Sequence, residues 1–463
     1  MRKIAETSMS GMAERAKQLT ESYRALVELG QFEEALALIH ETLGIHRQLV
    51  AEHPDRYLQN LGYSLNDAGA MQEKLGQIDA AVVSTQEALS IRRTLAEQQA
   101  GMRSFLAETL HNMAVIRDKL GEHDTSLILR QEVVDIQRSL AAEQPETYLP
   151  DLAGGLYNLG FAQSQRGLYE AALPSLQEAI DIKRNLAAQQ PEMLWSDFSS
   201  NLCDLGRVQY KLGQFETGLA SFREAAQIDL ELAEQEPNGA LPSLAGSLNQ
   251  MALGHLQLEQ YDASVAFVEQ ALEIHRHLTA EQSEGLELQL VSILFNLSLV
   301  RNLLGQYEAA LEPKRELVEL TRKLAAQDPD AYLAEFADSL YGMGLTQGKA
   351  GHFEEALATQ REVQDIYRKL AEKNPDEHLP NLAHSLASCA FELRDLERDV
   401  DALPVLQEAI DTLWPYYERD PAAHGAMMNN YILSICDLHE QLGLPLDEVL
   451  QERVTQHEAW SGT

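Results

Sequence analysis

Residues 167–173 read G-L-Y-E-A-A-L, and the phrase returns along the chain: G-Q-F-E-E-A-L from Gly30, G-Q-F-E-T-G-L from Gly213, G-Q-Y-E-A-A-L from Gly305 and G-H-F-E-E-A-L from Gly351. Looser copies start at Gly76, Gly121 and Glu259, with remnants at Glu397 and Gly443. The ten starts are spaced 46, 45, then seven times 46 residues. A period held over nine intervals marks a repeat architecture, in which each unit buries its apolar face on its neighbours.

Each unit reads as two helices. In the fourth, Leu152, Leu156 and Leu159 form one buried helical stripe, and Gly167 ends that helix in the left-handed position just past its last turn. A second helix starts near Tyr169 and carries Ala172, Leu173, Leu176, Ala179, Ile180 and Leu186 before Pro191 closes it. Across the units, small residues recur seven positions before each start (Gly69, Ala114, Gly160, Gly206, Ala252, Ser298, Gly344), with Tyr23 the large exception. They recur again five positions after it (Ala35, Ala81, Ser126, Ala172, Gly218, Ser264, Ala310, Ala356, Ala402). Small residues on both partners let paired helices approach closely.

The pattern L-x-x-L-G, then G-x-Y-x-x-A-L and a further Ala (Leu156, Leu159, Gly160, Gly167, Tyr169, Ala172, Leu173, Ala179) resembles the tetratricopeptide repeat. That repeat has a period of about 34 residues; the longer period here is similar to that of kinesin light chains and many bacterial tetratricopeptide proteins. The resemblance implies an all-α, right-handed superhelical solenoid of about ten helix pairs. The expected organisation is a flexible tail over 1–10 and one continuous solenoid over 11–463, with degenerate capping repeats over 396–463. In those last units W-P-Y-Y at 414–417 interrupts the helical pattern, and Gln456 and Glu458 stand where other units bury apolar residues.

Composition narrows the function. With 36 basic and 72 acidic residues, the formal charge of −36 disfavours nucleic acid and anionic membrane as general partners. It favours a basic segment on a protein partner. Cys203, Cys389 and Cys436 lie far apart, as in a reducing compartment rather than a disulfide framework. M-R-K-I-A-E-T-S-M-S-G at the start has no apolar run of signal-peptide length. The expectation is a cytoplasmic protein with no cofactor and no metal. No catalytic constellation stands out either. The histidines of H-E-T-L-G-I-H at 40–46 are spaced too widely for a zincin, G-M-G-L-T-Q-G at 342–348 lies inside a helix, and no C-x-x-C or Walker loop occurs.

Three periodic rows remain. Nine residues before successive starts stand Asp67, Asn112, Asn158, Asp204, Gln250 and Asn296, mid-way along first helices where such residues gain nothing for helix formation. First helices of tetratricopeptide arrays line a concave groove, and this row resembles the asparagine ladder with which some of them hold an extended peptide's backbone. A carboxamide suits that task because it both donates and accepts. The alternative is a structural row bonding neighbouring repeats. One position earlier the chain has Asn66, His111, Tyr157, Cys203, Asn249, Phe295 and Tyr341, of which His111, Tyr157, Phe295 and Tyr341 are candidates for pockets in the groove wall. The third row, Arg47, Arg93, Arg138, Arg184, Arg276, Arg322 and Arg368, breaks only at Leu230. Acidic residues three positions before five of these arginines suggest salt bridges along one helix face. The sequence therefore describes a non-enzymatic interaction scaffold whose groove takes an extended partner segment. A sensor that encloses a signalling peptide or small ligand and acts on a partner chain is the alternative.

Overall fold

The computed structural model describes residues 2–189, 197–235, 237–278 and 285–461. Among these there are twenty α-helices, one turn of 3-10 helix at Ala100–Met102, and no strand. They form ten pairs. The first members, here A helices, are Arg2–Glu28, Pro54–Lys74, Arg103–Lys119, Pro145–Gln165, Phe198–Lys211, Pro237–Gln257, Glu287–Leu303, Pro329–Lys349, Pro375–Asp395 and Pro421–Leu442. The B helices are Phe32–Glu52, Ile78–Gln98, His123–Glu143, Tyr169–Gln189, Phe215–Gln235, Tyr261–His277, Tyr307–Gln327, Phe353–Lys373, Asp399–Arg419 and Glu448–Ser461. The first A helix begins at Arg2, so the segment 2–10, expected as a tail, has a helical backbone.

The punctuation is local chemistry. Six A helices open on proline at their first position, where its missing N–H is no loss and its fixed φ suits the first turn. Asp328 and Asp420 cap two of them, accepting from the backbone N–H of Ala331 at 3.2 Å and Ala423 at 3.0 Å. Between A and B helices every glycine start is left-handed, from Gly30 at φ 74° to Gly443 at φ 65°. Glu259 (φ 57°) and Glu397 (φ 59°) hold the same conformation without being glycine.

The pairs group into two compact units, Met1–Ser221 and Phe222–Thr463. Within each, successive helices pack side by side. The small rows lie at the close approach. Ala35, Ala81, Ala172, Ala310, Ala356 and Ala402 are fully buried. A Cβ on Gly160 would come within 2.7 Å of Leu176 and 3.1 Å of the Ala172 carbonyl, and one on Gly218 within 2.9 Å of the Gly206 carbonyl. Tyr23, the large residue of its row, is also buried and spends its hydroxyl on Asp67.

One expectation is corrected. W-P-Y-Y does not interrupt its helix: Asp399–Arg419 runs through Pro415. Trp414 and Tyr417 are buried there, Tyr417 shares a hydrogen bond with His457 at 2.8 Å, and the Trp414 and Trp460 rings stack at 6.2 Å. Aromatic packing against the last helix outweighs the helix-breaking tendency of proline.

The arginine row also behaves differently from a set of pairs within one helix. Arg47 bonds Glu87, Arg93 Glu132, Arg138 Glu178, Arg276 Glu316, Arg322 Glu362 and Arg368 Glu408, each on the next B helix. Pairs within one helix vary: Arg184–Asp181 is 2.8 Å, whereas Arg322–Glu319 is 3.7 Å and Arg368–Asp365 is 3.8 Å. Where Leu230 breaks the row, the matching glutamate is also gone, replaced by Gln270.

Candidate functional site

The two polar rows of the A helices meet as rungs between consecutive repeats. Asn112 Nδ2 donates to Asn66 Oδ1 at 3.0 Å, and Asn296 Nδ2 to Asn249 Oδ1 at 2.9 Å. Tyr157 donates to Asp204 Oδ2 at 2.5 Å, and Tyr341 and Ser388 share a longer contact of 3.5 Å. In each case one residue nine positions before a start meets one ten positions before the previous start. The A helices at these four steps pack directly on each other.

The rungs are tied down further. Asn66, nearly fully buried, donates to Glu108 at 3.1 Å, and Glu108 also receives buried Arg92 at 3.0 Å. Asn249 donates to Ser292 at 3.1 Å. Asp204 is also held by Arg207. Burial raises the Asp67 carboxyl above its ordinary range, while the Tyr23 hydroxyl works against that rise. Asp67, Asn112, Asp204 and Asn296 thus each make a side-chain hydrogen bond to a neighbouring repeat, as do Tyr157 and Tyr341. Gln250 is half-buried, and its side-chain oxygen has no hydrogen-bond partner.

Two steps within the units have no rung and open into clefts instead. Between Arg103–Lys119 and Pro145–Gln165, His111 and Asn158 line a cleft of about 470 Å³ floored by Val133 and Leu140, with Glu108 and Gln137 on its wall. Between Glu287–Leu303 and Pro329–Lys349, Phe295 lines a second cleft of about 400 Å³, floored by Lys314 and Leu317. The clefts occupy the same repeat positions. Ser104 corresponds to Leu288, Glu108 to Ser292, His111 to Phe295, Val133 to Leu317, Gly154 to Asp338 and Asn158 to Gly342, every pair 184 residues apart, or four repeats.

Their chemistry differs. The first is polar, and burial, followed by the Arg130 charge, lowers the basicity of His111. Asn158 makes no side-chain hydrogen bond among the described residues. The second sets an apolar side, with Phe295 51% exposed at its mouth, beside the charged Lys314, Glu335 and Asp338. The structure therefore brings His111 together with Asn158 and sets Phe295 apart in an equivalent place. Reading the rows separately could not distinguish closed rungs from open ones, because that depends on which two residues face each other across a repeat.

Among the described residues, no group of three or more His, Cys, Asp or Glu is placed to hold a metal ion, and no helix is long and apolar enough to cross a membrane.

These features define an all-α array of helix pairs with a left-handed residue between the members of each pair. Family models described as tetratricopeptide repeat match residues 24–55, 153–186 and 244–279, so the chain carries tetratricopeptide repeats at these segments. Similar solved structures include BtubC (BKLC) from P. vanneervenii, at 18% identity over 52% of this chain and 90% of that one, with a TM-score of 0.42. A Podosopora anserina putative kinesin light chain with nearly identical repeats matches at 19% identity over 48% of this chain and 97% of that one, TM-score 0.38. A signal transduction ATPase with numerous domains and a tetratricopeptide repeat sensor, from Pyrococcus horikoshii, matches at 12% identity over 86% of this chain and 55% of that one, TM-score 0.52. A search of curated proteins finds no match.

Proposed function

We propose that the chain is a non-enzymatic interaction scaffold that takes an extended peptide segment of a partner protein on the exposed face of its A helices. The observation that carries this reading is the cleft containing His111 and Asn158, which offers hydrogen-bonding groups not spent on a neighbouring repeat. Asp151, in the lining of the same cleft, makes it suited to a segment with basic character, in keeping with the formal charge of −36. The closed rungs contribute rigidity: a peptide groove whose wall is already hydrogen-bonded loses little entropy on binding.

The test is selection of peptides from a random library displayed on phage, panned on the full chain, followed by affinity measurement on His111→Ala and Asn158→Ala. Selected peptides that bind the double variant at least about tenfold more weakly, equivalent to about 1.4 kcal/mol, support the reading. Unchanged affinity, or no enriched peptide, rejects it.

A further inference from the structure

The second cleft contains a charge that its counterpart neutralises. At the equivalent place in the first cleft's repeat stands Arg130, 184 residues before Lys314. Arg130 is tied to Asp118 at 2.8 Å, and the residue corresponding to Asp118 is Asn302, which is neutral and donates to Thr346 at 3.0 Å instead. The cation has been kept while its anion has been lost. Lys314 is only 6% exposed, and among the described residues no hydrogen bond or ion pair reaches its ammonium. Most other units bury an apolar side chain at this position, such as Ile39, Leu176, Phe222, Val268 and Leu406.

The lysine stem runs from the B helix toward the exposed face, and its end lies against Gly342. A Cβ added there would sit 3.1 Å from Nζ. Gly342 replaces the carboxamide or carboxylate that most other units carry at that point of the A helix, so the ammonium takes the space. Burial pushes the Lys314 amine down to about 8, with repulsion from Lys349 adding to it, so it stays mostly charged at neutral pH.

The surroundings say what could meet that charge. Leu288, Val291, Phe295 and Leu317 give the cleft an apolar wall, whereas Glu335 and Asp338 line its other side beyond ion-pair distance of Lys314. Asp338 receives the Tyr367 hydroxyl on Oδ1, leaving Oδ2 for another donor. A simple anion at Lys314 would face two carboxylates, and a simple cation would leave the lysine unmatched. A zwitterion answers both, and a volume of about 400 Å³ is in the range of small-molecule sites.

We propose that this cleft binds a free α-amino acid with an apolar side chain, its carboxylate on Lys314, its ammonium group between Glu335 and Asp338, and its side chain against Phe295. The proposal goes beyond the peptide reading and is independent of it, since it concerns a different cleft and a different ligand.

Isothermal titration calorimetry on the full chain at pH 7 tests it with four probes: L-phenylalanine, L-leucine, 3-phenylpropionate and 2-phenylethylamine. Saturable binding of the two amino acids is expected, with each phenyl analogue, lacking one charge, at least tenfold weaker than phenylalanine. Lys314→Met, which removes a buried cation and should fold, is expected to lose at least tenfold in phenylalanine affinity. Gly342→Asn, which fills the space beside Nζ on an accessible face, provides the same readout should Lys314→Met fail to fold. The proposal is overturned by no saturable heat with either amino acid, by 3-phenylpropionate or 2-phenylethylamine binding as tightly as phenylalanine, or by a folded variant that binds like the parent.

Discussion

Asn112 reaches back across one whole repeat to donate its side-chain amide to Asn66 at 3.0 Å, while Asn158, its equivalent in the next unit, faces an open cleft. The same residue at the same repeat position is structural in one place and available in the other.

That difference gives a direct test. Asn112→Ala should destabilise the protein by about 1–3 kcal/mol, because Asn66 Oδ1 is left buried without its donor. Asn158→Ala should leave the melting temperature within about a degree or raise it, since alanine favours helix and no bond is lost. Differential scanning calorimetry on both variants measures the contrast. Equal destabilisation would mean that Asn158 is bonded within the fold just as Asn112 is.

The left-handed glutamates offer the second test. Glu397 at φ 59° occupies a turn position that glycine fills elsewhere, and a side chain there strains the backbone by roughly 1–2 kcal/mol. Glu397→Gly should recover part of that, on the order of 0.5–1 kcal/mol after the added freedom of the unfolded chain is deducted. Gly167→Ala should show the opposite sign. Urea unfolding of the three proteins, followed by circular dichroism, checks both directions.

Much of this fold was legible in the sequence because the signals repeat. Ten glycine or glutamate starts fixed the helix boundaries, and the small rows at Gly160 and Ala172 lie where the backbones approach closest. The site was legible only in part. Asp67, Asn112 and Asn296 looked alike as a row, yet each has a partner supplied one repeat away, in Tyr23, Asn66 and Asn249. A one-dimensional pattern records position along a helix and not which residue stands opposite. The arginine row had the same ambiguity: acidic residues three positions earlier suggested pairs within a helix, which Arg184 and Asp181 do form at 2.8 Å, but six of the arginines also reach the glutamates of the following unit. That signal was available in the simultaneous loss of Arg at Leu230 and Glu at Gln270.

The paired loss can be reversed. Leu230→Arg with Gln270→Glu restores the register of the other rungs, and the coupling between the two changes should be favourable by about 0.2–1 kcal/mol, as for exposed ion pairs. It should shrink in 1 M salt, where the screening length falls to about 3 Å. A double-mutant cycle by denaturant unfolding at low and high salt reads the coupling directly. Zero coupling at low salt would show that the register fails at this step.

Glu392 provides a test by pH. It is 5% exposed on the helix Pro375–Asp395, and its Oε2 has no hydrogen-bond partner. Burial, aided by the negative charge of Asp395, pushes its carboxyl up to about 8 from an ordinary value near 4.5. A folded value above the unfolded one means that the folded state holds the proton more tightly. The associated stability is fully present below about 4.5 and is lost as pH rises through 8. Glu392→Gln stays neutral at every pH and keeps the shape of the protonated acid, so the variant should match the parent at pH 4.5 and exceed it increasingly toward pH 8. Each unit of pKa difference is worth about 1.4 kcal/mol, so at pH 8 the variant should be more stable by at least about that amount. Because repeat arrays need not unfold in one step, the measurement should be local: hydrogen exchange of amides in Pro375–Asp395 at pH 5 and pH 8, corrected for the intrinsic rate. Greater protection in the variant at pH 8 and equal protection at pH 5 is the expected result. Equal protection at both would mean that water reaches the Glu392 carboxylate and satisfies its charge.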